Sequence, residues 1–149
     1  MKYLKKFEDI ARKCNIDIIL DSYIETMLWT EEDVIFIDED GENSNPDEIV
    51  IDKDMLSDED IDEIRNEIKW FVDLSGDAVN YATDEMIGSD LWLTRNGHGA
   101  GFFDRDYPNY VIKVFEELSE ILGSVDLYLG DDKKLYYDSS DKYKDIDVE

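Results

Sequence analysis

The sequence predicts one α+β domain, with N-terminal and central helices packed on a small antiparallel sheet formed mainly by the C-terminal half. Three observations lead there. Apolar residues recur at helical spacing over 2–13, 16–29, 57–75 and 108–122. Short β-type runs separated by glycine-containing loops cluster after residue 90. The 149 residues are 42% hydrophobic and include three Trp, nine Tyr and six Phe, enough for one core and too many for a disordered acidic chain.

Each element has its own signal. Leu4, Phe7, Ile10 and Ala11 mark a first helix over 2–13. From Ile16 to Trp29 the apolar face is wide, so a helix there should be buried on one side, with Asn15 or Asp17 placed to cap it. An acidic insertion follows around 31–56. Within it, Val34–Ile37 and Ile49–Ile51 are β-branched and predict a hairpin around the polar loop 38–48. Ser57 opens the clearest helix. Ser57 and Asp60 have capping-box spacing, and Leu56 and Ile61 are placed as a hydrophobic staple. Asp58, Glu59 and Asp60 crowd the first turn, where the helix dipole favours them. Ile61, Ile64, Ile68, Phe71 and Leu74 form its inner face, and Gly76 ends it.

A shorter helix is expected from about Asp77 to Met86. Asp90–Thr94 then reads as a strand, Asn96–Gly101 as a loop and Phe102-Phe103 as a second strand. Pro108 sits at a helix start, where its missing N–H costs nothing, and Gly123 terminates that helix. Val125–Leu129 and Lys134–Tyr137 flank Gly130–Lys133 as a hairpin. The domain should span 1–137, and the polar segment 138–149 should fray. Trp29, Trp70 and Trp92 are assigned to the core.

Charge narrows the partners. Forty carboxylates against fifteen Lys plus Arg give −25. Such a surface repels nucleic acid and anionic membranes, so neither is expected as a direct partner, and a protein drawn in by charge would be basic. Lys outnumbers Arg eleven to four, which argues against salt adaptation, since salt-adapted chains tend to shed Lys. Cys14 is the one cysteine, which excludes an intrachain disulfide and fits a reducing cytosol. The basic N-terminus runs into Glu8 and Asp9 and does not read as a signal peptide. No stretch approaches the roughly 18 apolar residues of a membrane span. A cytoplasmic location is expected.

Asp90-Leu-Trp-Leu-Thr-Arg-Asn-Gly-His-Gly-Ala-Gly-Phe-Phe-Asp-Arg105 resembles a motif of small acidic proteins of bacteriophages and related mobile elements. That family usually reads Phe-Trp-Leu-Thr-Arg-Asn-Gly-His-Gly-Ala-Gly-Phe-Trp-Asp-Arg here. Tyr23–Trp29 and Gly123–Asp132 are similar to two further segments of the same family. Leu91 stands where the family often has Phe, Phe103 where it often has Trp, and Lys133 where Gly usually follows the paired Asp. The resemblance implies phage origin and a shared fold, with host cytoplasm as the compartment. It carries no established activity.

Two constellations could carry function. In Asn96–Gly101, three glycines around His98 permit positive φ, and Arg95 and Asp104 lie beside the imidazole in sequence. This supports a small enzyme or ligand-binding protein centred on His98, or else a tight turn whose His holds the chain in register. No strand–loop–helix order surrounds the glycines, which argues against a nucleotide cradle. A lone His without a Cys cluster argues against zinc, and Phe36 occupies the position where an EF-hand loop built on Asp38 needs an oxygen. No metal or cofactor is expected.

The second constellation is acidic. From Glu31 to Glu63 there are sixteen carboxylates and one Lys. A helix rises about 1.5 Å per residue, and duplex DNA presents about one charge per 1.7 Å, so a carboxylate-dense helix approaches duplex charge density. The leading expectation is therefore a binding protein: a phage-type acidic inhibitor that mimics nucleic-acid charge. Its partner would be a basic, nucleic-acid-binding host defence protein, as for antirestriction or anti-CRISPR proteins. The contacts would be Asp52, Asp54, Asp58, Glu59, Asp60, Asp62, Glu63 and Glu67. A component of the phage particle is a third reading. The inhibitor idea requires these carboxylates to share one face.

Overall fold

Four helices enclose a core that a two-stranded hairpin closes on one side, as seen in a computed structural model that describes residues 10–35 and 51–146. The order is α1 (Ile16–Ile35), α2 (Asp58–Ser75), α3 (Asp84–Asn96), α4 (Asn109–Leu122), β1 (Val125–Leu129) and β2 (Leu135–Ser139). The strands pair antiparallel, with Leu127 opposite Tyr137. This is the single α+β domain the sequence predicts, with both strands in its C-terminal half.

Local chemistry explains most boundaries. Asn15 starts α1, its Oδ1 accepting from the backbone N–H groups of Asp17 and Ile18. Ser57 starts α2 by accepting from Asp60 N–H at 3.0 Å, and Thr83 starts α3 by accepting from Met86 N–H at 3.1 Å. Gly97, with φ of 66°, stops α3 in the left-handed conformation, and Gly123 stops α4. Pro108 precedes the first turn of α4 as expected.

The core gathers one face of each element. Phe71 of α2 stacks on Phe115 of α4 and on Phe102 of the turn before it, and Phe102 and Phe115 meet at a tilt, with ring centroids 4.4–5.7 Å apart. Tyr23 of α1 meets the edge of Trp92 of α3 at 5.6 Å. The helices α1 and α3 approach so closely that a Cβ on Gly88 would collide with the carbonyl oxygen of Ile19 and come within 2.9 Å of Ser22 Cβ and Tyr23 N. Only glycine permits that backbone contact.

Several expectations are corrected. Asp90–Thr94 is helical, the middle of α3, and Phe102–Asp104 is a 3-10 turn, so neither strand exists. The helix expected over 77–86 is a 3-10 turn, Gly76–Tyr81, followed by a break and the start of α3. Residues 10–13 are not helical. Arg12 instead reaches across to the Gly76–Tyr81 turn, donating to Val79 O and Ala82 O and pairing with Asp84. The expected strand at 34–37 fails at its first half, because α1 continues through Ile35. Residues 36–50 of that hairpin, and residues 2–9, lie outside the described residues, and Ile51 is in neither helix nor strand. Trp92 is buried as expected, but Trp70 is only partly buried and Trp29 is 75% exposed. The segment expected to fray from residue 138 is structured as far as Ile146: β2 continues to Ser139, and Lys142–Asp145 forms a turn that buries Tyr143 against Trp70.

Candidate functional site

The glycine-rich motif is built into the scaffold. Its first and last residues meet: Arg105 Nε and Nη2 donate to both carboxylate oxygens of buried Asp90, at 2.8 and 2.9 Å. Trp92 Nε1 donates to Thr30 Oγ1 of α1. Asn96 donates to Trp92 O and accepts from Val125 N–H, tying the end of α3 to β1. Thr94 Oγ1 accepts from Phe102 N–H. Gly97, Gly99 and Gly101 all have positive φ, as the sequence predicts. At Gly101 a Cβ would strike Thr94 Oγ1, so the turn closes only on glycine.

The enzyme-like trio is not assembled. His98 is exposed, with Nε2 3.5 Å from Glu31 Oε1 and its ring beside Trp92. Arg95 points the other way, into the core, where it is 6% exposed. Asp104 lies exposed on the 3-10 turn. The structure pairs His98 with neither expected partner.

What Arg95 does instead was not foreseen. It forms a two-pronged ion pair with Glu67, at 3.0 and 3.2 Å, between α3 and α2. It also donates to Tyr23 and Tyr137 hydroxyls and to the carbonyls of Leu122 and Gly123 at the end of α4. Glu67 accepts further from Tyr137 at 2.6 Å and from Ser139 at 2.9 Å. One buried cluster thus joins four helices to the hairpin. Burial pushes the Tyr23 phenol up to about 12, against the pull of Arg95. A charged residue on the inner side of α2, one position before Ile68, was the available clue.

The eight carboxylates expected to bind a partner divide accordingly. Glu67 is 1% exposed and cannot reach a partner, so that assignment is corrected. Asp60 is half-buried and accepts from Tyr137 N–H, capping the free edge of β2. Glu63 accepts from Tyr143 and Lys144. Asp52, Asp54, Asp58, Glu59 and Asp62 are exposed. Lys53, the one cation between residues 51 and 64, pairs with Asp21 of α1, and Arg65 pairs with Asp17. Through Asp60 and Glu63 this acidic start of α2 adjoins β2 and the turn at Lys142–Asp145.

Among the described residues no group of His, Cys, Asp and Glu side chains is arranged to hold a metal ion. No helix among them is long and apolar enough to cross a membrane. Comparison of the chain with models of protein families, with curated proteins and with solved structures finds no match.

Proposed function

We propose that the chain is a phage-type acidic inhibitor that occupies a basic, nucleic-acid-binding surface of a host defence protein in the cytoplasm. The observation that carries this reading is the start of α2. Asp58, Glu59 and Asp62 stand exposed within about 6 Å of helix axis, where a duplex presents three to four charges by its spacing of about 1.7 Å. Asp52 and Asp54 are exposed just ahead of the helix, and the neighbouring cations are already paired, Lys53 and Arg65 with α1 and Lys144 with Glu63. A groove lined by Lys and Arg would meet an uncompensated row of carboxylates. Glu67 stabilises the scaffold behind that row and makes no contact.

The test immobilises the chain and captures host proteins at low salt. A retained nucleic-acid-binding protein should be released by a short DNA duplex. Its affinity should fall at least about tenfold between 50 and 200 mM salt, as expected when several charge contacts are screened. The Asp58→Asn/Glu59→Gln/Asp62→Asn variant should lose capture while keeping its helical signal. Binding that ignores salt, or that coexists with bound DNA, would overturn the reading.

A further inference from the structure

We infer that the solvent face of the β1–β2 hairpin is a second contact surface, built to hold arginine side chains of a basic partner. The inference deepens the inhibitor reading by naming a recognition chemistry for the partner, and it rests on that reading only for what the partner is in the cell.

The strands bury one face and leave the other bare. Val125, Leu127, Leu135 and Tyr137 point to the core, and Asp126, Tyr128, Tyr136 and Asp138 point to solvent. On the bare face the pairing is like with like: Asp126 stands opposite Asp138, and Tyr128 opposite Tyr136. The two tyrosine rings stack, with centroids 5.2 Å apart and 17° between planes. Tyr128 is 53% exposed and Tyr136 38%. Tyr136 donates its hydroxyl proton to Asp132 in the connecting turn, which fixes the ring. Asp60, at the start of α2, accepts from the backbone N–H of Tyr137, so the hairpin adjoins the acidic row.

A stacked tyrosine pair can stabilise a hairpin by itself. Two carboxylates directly opposite each other cannot, because like charges in a cross-strand pair destabilise the sheet. The fold gains nothing from Asp126 facing Asp138. A cation placed between them does. A guanidinium fits best: it is planar, stacks on an aromatic face and offers a fork of donors to the flanking carboxylates. Exposed tyrosines presented on a rigid element are also the residues that dominate binding energy at interfaces. Among the described residues no ion pair engages Asp126 or Asp138, and the turn's own cations, Lys133 and Lys134, are matched in number by Asp131 and Asp132.

The probes are an oligo-arginine and an oligo-lysine peptide of equal length and charge, titrated into the intact chain at low salt. Charge alone treats them alike; a stacking face does not. Arginine should bind about threefold tighter or more. In Tyr128→Thr/Tyr136→Thr that preference should vanish while lysine affinity holds, and in Asp126→Asn/Asp138→Asn both affinities should drop. Threonine suits an exposed strand position. Should the tyrosine variant still fail to fold, amide NMR shifts of the unmodified chain under oligo-arginine decide the matter. They should concentrate in 125–129 and 135–139. Equal affinity for the two peptides, a preference that survives loss of both rings, or shifts confined to 52–62 would overturn the inference. The α2 variant Asp58→Asn/Glu59→Gln/Asp62→Asn should keep the arginine preference, so failure of the inhibitor reading and failure of this one are distinguishable.

Discussion

Arg95 shows how much one side chain can decide. Its guanidinium sits among α2, α3, the end of α4 and β2, and every donor direction is used. Removing it leaves Glu67 buried and charged, with only hydroxyl donors from Tyr137 and Ser139. Breaking a buried ion pair on one side costs about 3–5 kcal/mol. Arg95→Met should therefore lose that much stability in urea unfolding, and Arg95→Lys should recover little, since an ammonium cannot reproduce the fork. Glu67→Leu/Arg95→Met should be more stable than Arg95→Met alone, because no uncompensated charge remains. Additive losses in the two single variants would show the pair to be uncoupled. A sequence reader meets Arg95 beside His98 and thinks of catalysis; burial is what separates them, and burial of a charge is invisible until its partner, 28 residues earlier in the chain, is brought alongside.

At the scale of elements, legibility followed the completeness of the apolar stripe. The helices α2 and α4 carry full stripes, a cap signal and a glycine stop, and both were readable. So was the C-terminal hairpin, from its alternation and its turn. The helix α3 was not. Five of its buried residues, Ile87, Gly88, Leu91, Trp92 and Arg95, share one side at helical spacing, and Asp90 is buried off that stripe on Arg105. Two of those five are a glycine and an arginine, so the stripe looks broken, while Leu91 and Leu93 mimic strand alternation. Each exception has a tertiary cause: Arg95 meets Glu67, and Gly88 meets the backbone of α1. That contact yields a test of sign. Gly→Ala inside a helix ordinarily gains up to about 1 kcal/mol. At Gly88 the new methyl would have to push α1 away, at about 1–3 kcal/mol. Gly88→Ala should thus lower the thermal midpoint; a raised midpoint would mean that α1 and α3 are not in backbone contact. The candidate site was half legible for a related reason. Exposure in the first turn of a helix is a local property, so the surface position of Asp58, Glu59 and Asp62 was legible, whereas Glu67 differs from them only in what lies opposite.

For the whole molecule, −25 on 149 residues sets the sign of the salt response. Two effects compete. Exposed pairs such as Asp17–Arg65, Asp21–Lys53 and Glu63–Lys144 weaken as salt rises, but each is worth only about 0–1 kcal/mol. Repulsion among the remaining exposed carboxylates weakens too, and these dominate α2's start and the hairpin face, with Glu25 exposed on the outer side of α1. At about 0.01 M salt the Debye length is roughly 30 Å, so charges across much of the domain feel one another; at about 1 M it is roughly 3 Å and only neighbours do. Screening should therefore stabilise the fold, raising the thermal midpoint by about 5 °C or more, which corresponds to about 1–2 kcal/mol for a domain of this size. The same repulsion gives a basic partner leverage, since neutralising the acidic side relieves it as salt does. Oligo-arginine at micromolar concentration should raise the midpoint in low salt and do so progressively less as salt increases. A midpoint that falls with salt would mean the carboxylates are already balanced by their own cations, and an acidic surface in that condition would have no excess charge to offer a partner.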